Sequence, residues 1–417
     1  MGDNRCGWLL QDGRWGWRIA GEREVREEGP LLARRMPQLD VLRGLAIAMV
    51  VVYHGIFYSQ THQPGRVANE ITRATQVGAM GVNLFFVLSG FLITGILLDA
   101  KGRPGYFSNF YVRRALRILP AYLLTVAALV LLHMVSRGGV AVAVTFLANT
   151  NLFAGAQKYL PFWSLSVEEQ FYLAWPLVVL VSSRRTLGWL AGALCVLEPV
   201  LRGVIRYGFG VHPVLVHGAT FLVGDNFAWG ALAALLVRSR YGTVRNARVL
   251  AASLAVSGVL ILAGGRHQGL LQGSNVAEAA LGAEPFELIF TATLLGLLSL
   301  HGSVFAGPAF APMRWLGEIS YGLYLVHTIV FAEYDRWSGR PGRYYGGTYF
   351  GDFRELLVRL TVCGAVACAI AWVSRRWYEE PFLRMKRKLA SRGEEGVTGV
   401  TTGGGGGDGG GGDLLVV

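Results

Sequence analysis

The chain has 417 residues, of which 53% are hydrophobic and only 16% are charged, and its formal net charge is +12 at pH 7. A soluble enzyme of this length usually carries more charge, and the apolar residues come in long blocks that are typical of membrane spans. The basic residues cluster between those blocks, as in cytoplasmic loops, so the positive charge does not indicate a nucleic-acid partner. We therefore expect an all-α fold, a polytopic membrane helical bundle.

The two ends of the chain differ from its middle. Residues 1–35 carry many charges and no apolar run, so they lack the hydrophobic region of a signal peptide, and we expect a variable or disordered leader. Residues 389–417 contain the run GGGGGDGGGG, which cannot form a core and predicts a disordered tail. Residues 36–388 are the predicted membrane domain.

The membrane domain contains apolar segments that we count as about ten transmembrane helices. The segment 140–155 is short and contains Asn149 and Asn151, so we expect it to be re-entrant or interfacial. The basic loops then fall on one side, which the positive-inside rule makes cytoplasmic, so both termini are predicted cytoplasmic and the loop 333–354 is predicted outside. The predicted spans are 39–57, 80–98, 118–135, 167–183, 187–201, 217–237, 249–264, 283–300, 315–332 and 355–374.

The first span, DVLRGLAIAMVVVYHG, carries Arg43 near its start and His54 near its end. The two residues lie about three helical turns apart, so they share one face at a separation of about 16 Å. Arg43 can be an interfacial anchor that pairs with Asp40, and His54 can be an interfacial residue with a satisfied hydrogen bond. Ionisable groups within spans are costly, however, so we also expect Arg43 to bind phosphate and His54 to act as a general base.

A basic stretch, FSNFYVRRALRILPAY, leads into the third span. Arg114 and Arg117 are three residues apart and share one face of a helix. Anchoring by lipid headgroups explains such residues in many membrane proteins. The alternative is a clamp that holds a phosphate group of a ligand.

Two adjacent glutamates, Glu168 and Glu169, open an otherwise apolar helix at its outer end in WSLSVEEQFY. Carboxylates in a first helical turn suit the helix dipole, and Ser166 can serve as the N-cap. Capping explains one glutamate more readily than two. A carboxylate can also orient an imidazole, so we expect Glu168 to contact His54.

A polar stripe runs along the ninth span, where Ser320, Tyr324 and His327 follow one another at helical spacing. Hydrogen bonding between helices explains such a stripe, and a direct role in catalysis is the alternative. In the second span, Ser89 and Gly90 predict close helix packing. Asp225 is a further charge within a span and has no obvious partner. No P-loop, dinucleotide-binding or zinc-binding spacing occurs, and we expect no metal site.

Together these stretches resemble the acyltransferase type 3 family of bacterial integral membrane acyltransferases, over about residues 37–388. Relatives in this family carry an arginine shortly before the aspartate of the sixth span, where this chain has Val223 two residues before Asp225. The terminal EEPF motif with its following basic residues is also typical. The motifs that carry the resemblance are, in order, Arg43 and His54, FFVLSGFL at 85–92, Arg114 and Arg117, WSLSVEEQFY at 163–172, and SYGLYLVH at 320–327.

The family transfers acyl groups, usually acetyl from acetyl-CoA, to sugar hydroxyls of surface polysaccharides, lipid-linked glycans or glycosylated antibiotics. The resemblance therefore implies acyl-CoA as a co-substrate, a saccharide or glycosylated acceptor, and a place in the bacterial cytoplasmic membrane. Arg43, Arg114 and Arg117 would meet the phosphates of acyl-CoA, and His54 and Glu168 would catalyse transfer. Polar or structural support would come from Ser166, Glu169, Tyr324 and His327.

Two other classes of protein share some of these features. A transporter or flippase of glycans or lipid-linked sugars also needs buried charge and a polar pathway, but it would not consume acyl-CoA. A membrane sensor or scaffold would recruit partners through its basic loops and would tolerate substitution of His54 and Glu168. Within the enzyme class, a covalent acyl-histidine intermediate is a variant of the base mechanism.

Overall fold

The body of the protein is helical, as predicted. The computed structural model describes residues 7–11, 14–18, 31–33, 35–56, 70–71, 74–150, 159–211, 218–266, 280–300, 302–338 and 353–385. The predicted tail, 389–417, lies outside the described residues, and the predicted leader, 1–35, is described only in part. The domain boundaries at residues 35 and 388 therefore stay predictions.

A two-stranded antiparallel hairpin precedes the helices and corrects the all-helical expectation for these residues. Strand β1 is Gly7–Gln11 and strand β2 is Arg14–Arg18, and the register pairs Gly7 with Arg18 and Gln11 with Arg14. In the sequence, Asp12 and Gly13 stand between the strands, and an Asp-Gly pair is typical of tight hairpin turns. This local signal is present in a segment whose charge alone had predicted a disordered leader.

Every predicted span overlaps a helix. Several helices extend beyond the apolar stretch that predicted them, because hydropathy marks only the part of a helix that suits lipid, whereas arginine and glutamate also favour helical backbone. The helices are α1 Pro37–Gly55, α2 Gly81–Ala100, α3 Tyr106–Leu131, α4 Arg137–Val144, α5 Phe162–Val181, α6 Arg184–Gly203, α7 Gly224–Val237, α8 Val244–Arg266, α9 Glu284–Leu298, α10 Gly302–Ala306, α11 Ala311–Trp337 and α12 Phe353–Val373.

The helices identify an integral membrane protein. Large apolar side chains stand exposed on their outer faces, among them Leu131 at 78%, Trp189 at 74% and Leu260 at 65% of full exposure, as expected for surfaces that face lipid. The count of ten spans and the cytoplasmic termini stay predictions. By length and composition, five described helical stretches can cross a membrane: Thr75–Ala100, Tyr106–Leu131, Arg184–Gly208, Val244–Gly265 and Arg354–Met385.

The segment that we predicted to be re-entrant or interfacial contains only a short helix. Helix α4, Arg137–Val144, has eight residues. At a rise of 1.5 Å per residue it covers about 12 Å, far less than the hydrocarbon core of about 30 Å. The described part of 140–155 therefore contains no helix long enough to cross the bilayer, and Asn151 lies outside the described residues.

Glycines allow two pairs of helices to pack with their backbones in contact. Helices α1 and α11 run parallel, and a Cβ atom on Gly44 or on Gly317 would lie 2.0 Å from a carbonyl oxygen of the other helix. Helices α2 and α7 meet in the same way, since a Cβ atom on Gly90 would lie 2.1 Å from the Phe227 oxygen. The predicted close packing at Gly90 is confirmed. These contacts hold α1, α2 and α11 around the cavity described next.

Candidate active site

A cavity with about 850 Å³ of empty space lies among α1, α2, α3, α5 and α11. His54, Ser166 and His327 are not among the side chains that line it. The other six predicted site residues do line it, although they come from four helices: Arg43, Arg114, Arg117, Glu168, Glu169 and Tyr324.

One part of the cavity wall is basic. Arg43 donates to the Asp40 carboxylate at 2.8 Å, so the predicted pair on α1 is formed. The Arg114 guanidinium lies 5.2 Å from the centre of the Tyr172 ring, a cation–π contact. Among the residues that the structure describes, Arg114 and Arg117 make no hydrogen bond or ion pair. Both guanidinium groups therefore keep their donors available for an anion.

The structure corrects the predicted partner of Glu168. Its Oε1 atom accepts hydrogen bonds from the hydroxyls of Ser89 on α2 and Tyr172 on α5, and among the described residues these, rather than His54, are its hydrogen-bond partners. The correction follows from the packing of α5 against α2, which brings Glu168 to the Ser89 hydroxyl. Glu168 thus lies on the cavity wall, where Arg114 shares its partner Tyr172.

The capping interpretation of Ser166 is also wrong. Helix α5 begins five residues before the predicted span, and no acidic residue lies in its first turn. Ser166 lies in the second turn, where its hydroxyl donates to the Phe162 oxygen at 2.8 Å and accepts from the Ala148 amide at 3.2 Å. Ser166 therefore fixes the segment after α4 onto α5, which is structural support. Glu169 lines the cavity.

His54 contacts a second histidine, His327 on α11. The Nδ1 atom of His54 lies 2.9 Å from the Val50 oxygen and 3.3 Å from Nε2 of His327. The Nδ1 atom of His327 lies 3.1 Å from the Leu323 oxygen and 2.8 Å from the Tyr324 oxygen. Carbonyl oxygens only accept, so both neutral rings carry their proton on Nδ1. His54 then donates to Nε2 of His327, and Nε2 of His54 is the basic nitrogen.

Tyr324 connects the cavity with the histidine pair. It lines the cavity, its hydroxyl is hydrogen-bonded to that of Ser164, and its ring centre lies 5.7 Å from that of His327. The polar stripe predicted on this helix therefore runs from the cavity to His54. Sequence reasoning missed Ser164 as a site residue, although it belongs to WSLSVEEQFY, because serine is common in packed membrane helices.

A buried ion pair closes the helix end beside His54. Arg359 on α12 donates to both carboxylate oxygens of Asp335 on α11, each at 2.7 Å. The same guanidinium donates to the Gly55 oxygen at 3.0 Å and the His54 oxygen at 3.3 Å, which are the last two carbonyl oxygens of α1. It therefore holds the end of α1 against α11 and α12. We predicted that Asp335 lies in an outer loop, but α11 continues to Trp337.

Comparison with known proteins points to one family. A family model described as an acyltransferase domain matches residues 36–376. Two similar curated proteins are a putative peptidoglycan O-acetyltransferase, YrhL, of Bacillus subtilis and a peptidoglycan O-acetyltransferase, OatA, of Listeria monocytogenes. The chain is 30% identical to the first over 84% of its own length and 28% identical to the second over 70%.

These alignments cover 55% and 49% of the two relatives, so the chain spans about half their length. A putative O-acetyltransferase of Staphylococcus aureus is 30% identical over 35% of this chain and 25% of its own length. No solved structure matches.

Proposed function

Because the chain belongs to the acyltransferase family whose model matches residues 36–376, we propose that it is an O-acetyltransferase that acts on a saccharide hydroxyl. The names of two relatives make peptidoglycan the first acceptor to test. The observation that carries the proposal is the cavity, which joins three arginines at one part of its wall to Tyr324, beside the histidine pair. We further propose that the acceptor enters from the outer side of the bacterial cytoplasmic membrane.

The proposed donor is acyl-CoA, with acetyl-CoA as the simplest case. Its phosphates would bind Arg43, Arg114 and Arg117 through charge-assisted hydrogen bonds, which are strong in a partly dry site. Within the described ranges, Arg114 and Arg117 form no hydrogen bond or ion pair, and this supports the assignment. The pantetheine arm would then lie along α1, with the thioester near Tyr324.

In the transfer step, Nε2 of His54 takes the proton of the acceptor hydroxyl as its oxygen attacks the thioester carbonyl. The C–O bond forms, the C–S bond breaks, and the proton passes from the imidazolium to the departing thiolate. Glu168 is hydrogen-bonded to Ser89 and Tyr172, which also line the cavity. Its proposed role is therefore to hold these two side chains in place and to keep a negative charge near Arg114. His327 takes the position beside His54 that we had expected for Glu168.

His327 is the proposed positioning residue for His54. Its Nε2 atom accepts a hydrogen bond from Nδ1–H of His54, so that the other ring nitrogen of His54, Nε2, acts as the base. Replacing His327 with leucine should lower kcat about three- to tenfold, the effect of one lost neutral hydrogen bond, with little change in KM for the donor. Glutamine keeps an acceptor, so His327→Gln should recover most of the loss. Equal loss in both variants would mean that His327 acts only through packing.

The function is tested with the purified full-length chain in lipid nanodiscs, supplied with acetyl-CoA and soluble peptidoglycan fragments. We expect release of free CoA thiol in proportion to acceptor, and the mass increment of one acetyl group on the fragments by mass spectrometry. A second arm supplies other glycans in place of peptidoglycan. Acetylation of no glycan in the presence of acetyl-CoA would contradict the proposed reaction.

The same experiment separates the enzyme from the transporter. A transporter or flippase would bind or move the glycan without releasing CoA. Glycan movement across vesicles in the absence of acetyl-CoA, together with unchanged CoA, would favour that rival. A sensor or scaffold predicts neither CoA release nor glycan movement, and it predicts that substitution of His54 and Glu168 changes neither.

A further inference from the structure

A second group of ionisable residues lies buried away from the cavity, where α6, α7 and α9 meet. We call Glu198, Asp225, Glu284 and Glu287 the acid cluster. Each is at most 7% exposed, and none of them lines the cavity. The carboxylate oxygens of Asp225, Glu284 and Glu287 lie within 4.8 Å of one another.

One arginine accounts for part of the negative charge. Arg202 on α6 donates to Asp225 at 2.5 Å and to Glu284 at 2.9 Å, and it is itself only 2% exposed. Asp225 therefore has the partner that the sequence did not reveal, supplied by α6 rather than by the residue before it. Glu198 accepts from the Asp225 amide at 2.8 Å. Four carboxyl groups thus face one guanidinium group, which leaves three negative charges if all are ionised.

Arg202 does not donate to Glu287 as it does to Asp225 and Glu284. Glu287 is fully buried, and neither of its carboxylate oxygens has a hydrogen-bond partner among the described residues. The hydroxyl of Thr291, one turn later on α9 and 2% exposed, also lacks a partner within the described ranges. A buried carboxylate without a partner is unfavourable, so Glu287 needs either a bound proton or a bound cation to neutralise it.

We propose that the acid cluster holds a divalent cation of the oxygen-binding class, Ca²⁺ or Mg²⁺. An ion whose oxygen ligands stand at about 2.0–2.6 Å holds oxygens that are at most about 5 Å apart, and one oxygen from each of the three carboxylates meets that limit. Glu287 would supply its unpartnered oxygens, and Asp225 and Glu284 the oxygens that Arg202 does not take. Carboxylates and a hydroxyl select a hard cation over zinc or copper, which favour nitrogen and sulfur ligands.

Such an ion would join α6, α7 and α9 at one end of the bundle. Glu198 and Arg202 lie at the end of α6, Asp225 at the start of α7, and Glu284 and Glu287 at the start of α9. The predicted topology places all three ends on the outer side of the membrane. A cation that binds the folded chain and not the unfolded chain stabilises the fold by mass action, independently of acetyl transfer.

The test uses the 417-residue chain in nanodiscs at pH 7.5, stripped with EDTA and then supplied with Ca²⁺ or Mg²⁺. We expect one of the two ions to raise Tm by about 5 °C and to remain bound at about one ion per chain in elemental analysis after desalting. Glu287→Gln should abolish both effects. Glu318→Gln, which changes an exposed glutamate on α11, is the matched control and should preserve both.

Three results would overturn the proposal. The first is wild-type protein that neither retains an ion nor changes Tm. The second is Glu287→Gln protein that binds the ion as well as the wild type does. The third is a Tm that ignores both ions but rises as the pH falls from about 8 to about 6, because Glu287 is then balanced by a proton. Since elemental analysis of the wild type decides alone, failure of a variant to fold does not block the test.

Discussion

Replacing His54 with alanine is expected to abolish acetyl transfer, with kcat reduced by about 100- to 10,000-fold, the range attributed to a general base. The expected cause is loss of Nε2, the nitrogen that takes the proton of the acceptor hydroxyl. This nitrogen is unprotonated because the ring proton is on Nδ1, which donates to the Val50 carbonyl and to His327. CoA release in the presence of acceptor is the measurement. Donor binding should change by less than about twofold, because the cavity lining does not include His54.

The matched variant is His54→Gln. Glutamine can donate a side-chain hydrogen bond as the imidazole does, yet it cannot take a proton near neutral pH, so it should be as inactive as alanine. Tm of both variants should stay within a few degrees of the wild type, since the helix end is also held by Arg359. A glutamine variant with substantial activity would contradict the base mechanism. Trapping of an acetyl group on wild-type His54 would favour the covalent variant instead.

Replacing Arg114 or Arg117 with alanine is expected to weaken binding of acetyl-CoA by about 10- to 100-fold each, the effect of one hydrogen bond to a charged group. Both side chains line the cavity, and neither makes a hydrogen bond or ion pair with another described residue, so their N–H donors are available for phosphate. Isothermal titration of acetyl-CoA into nanodiscs measures Kd directly. The effect should appear in KM for the donor more than in kcat.

Arg113→Ala is the control, because Arg113 is the neighbouring arginine on α3 and does not line the cavity. It should leave Kd nearly unchanged. A dephospho analogue of the donor sharpens the test, since loss of a phosphate should reduce the difference between wild type and the Arg117 variant. If Arg113→Ala weakened binding as much as the other two, or if all three altered only membrane insertion, the headgroup anchor would explain the basic stretch.

The helical class, the membrane location and most of the candidate site residues were predictable from the sequence. A long apolar block in a bilayer forms a helix, because every backbone polar group must then be hydrogen-bonded within its own segment. Ionisable residues are energetically unfavourable within such blocks, so their presence there indicates a function. Arg43, Glu168 and His54 were identified in this way. The hairpin at residues 7–18 was not predicted, because the leader was judged by its charge rather than by its Asp-Gly pair.

Partners between helices were not predictable. We expected Glu168 to contact His54 and found no obvious partner for Asp225, whereas the structure pairs Glu168 with Ser89 and Tyr172, and Asp225 with Arg202. Each error has the same origin. Helical periodicity gives the face on which a residue lies, but it does not give the neighbour that the face meets.

The sequence by itself determined which residues carry charge into the membrane and at what spacing along each helix. Only the tertiary structure decided that five of them line one cavity, that His54 is hydrogen-bonded to a second histidine, and that Glu287 is buried beside two other carboxylates. The physical reason is that spacing within a helix is a property of the backbone, whereas contacts between helices depend on close approach. That approach occurs here where glycines such as Gly44 and Gly317 let two backbones touch.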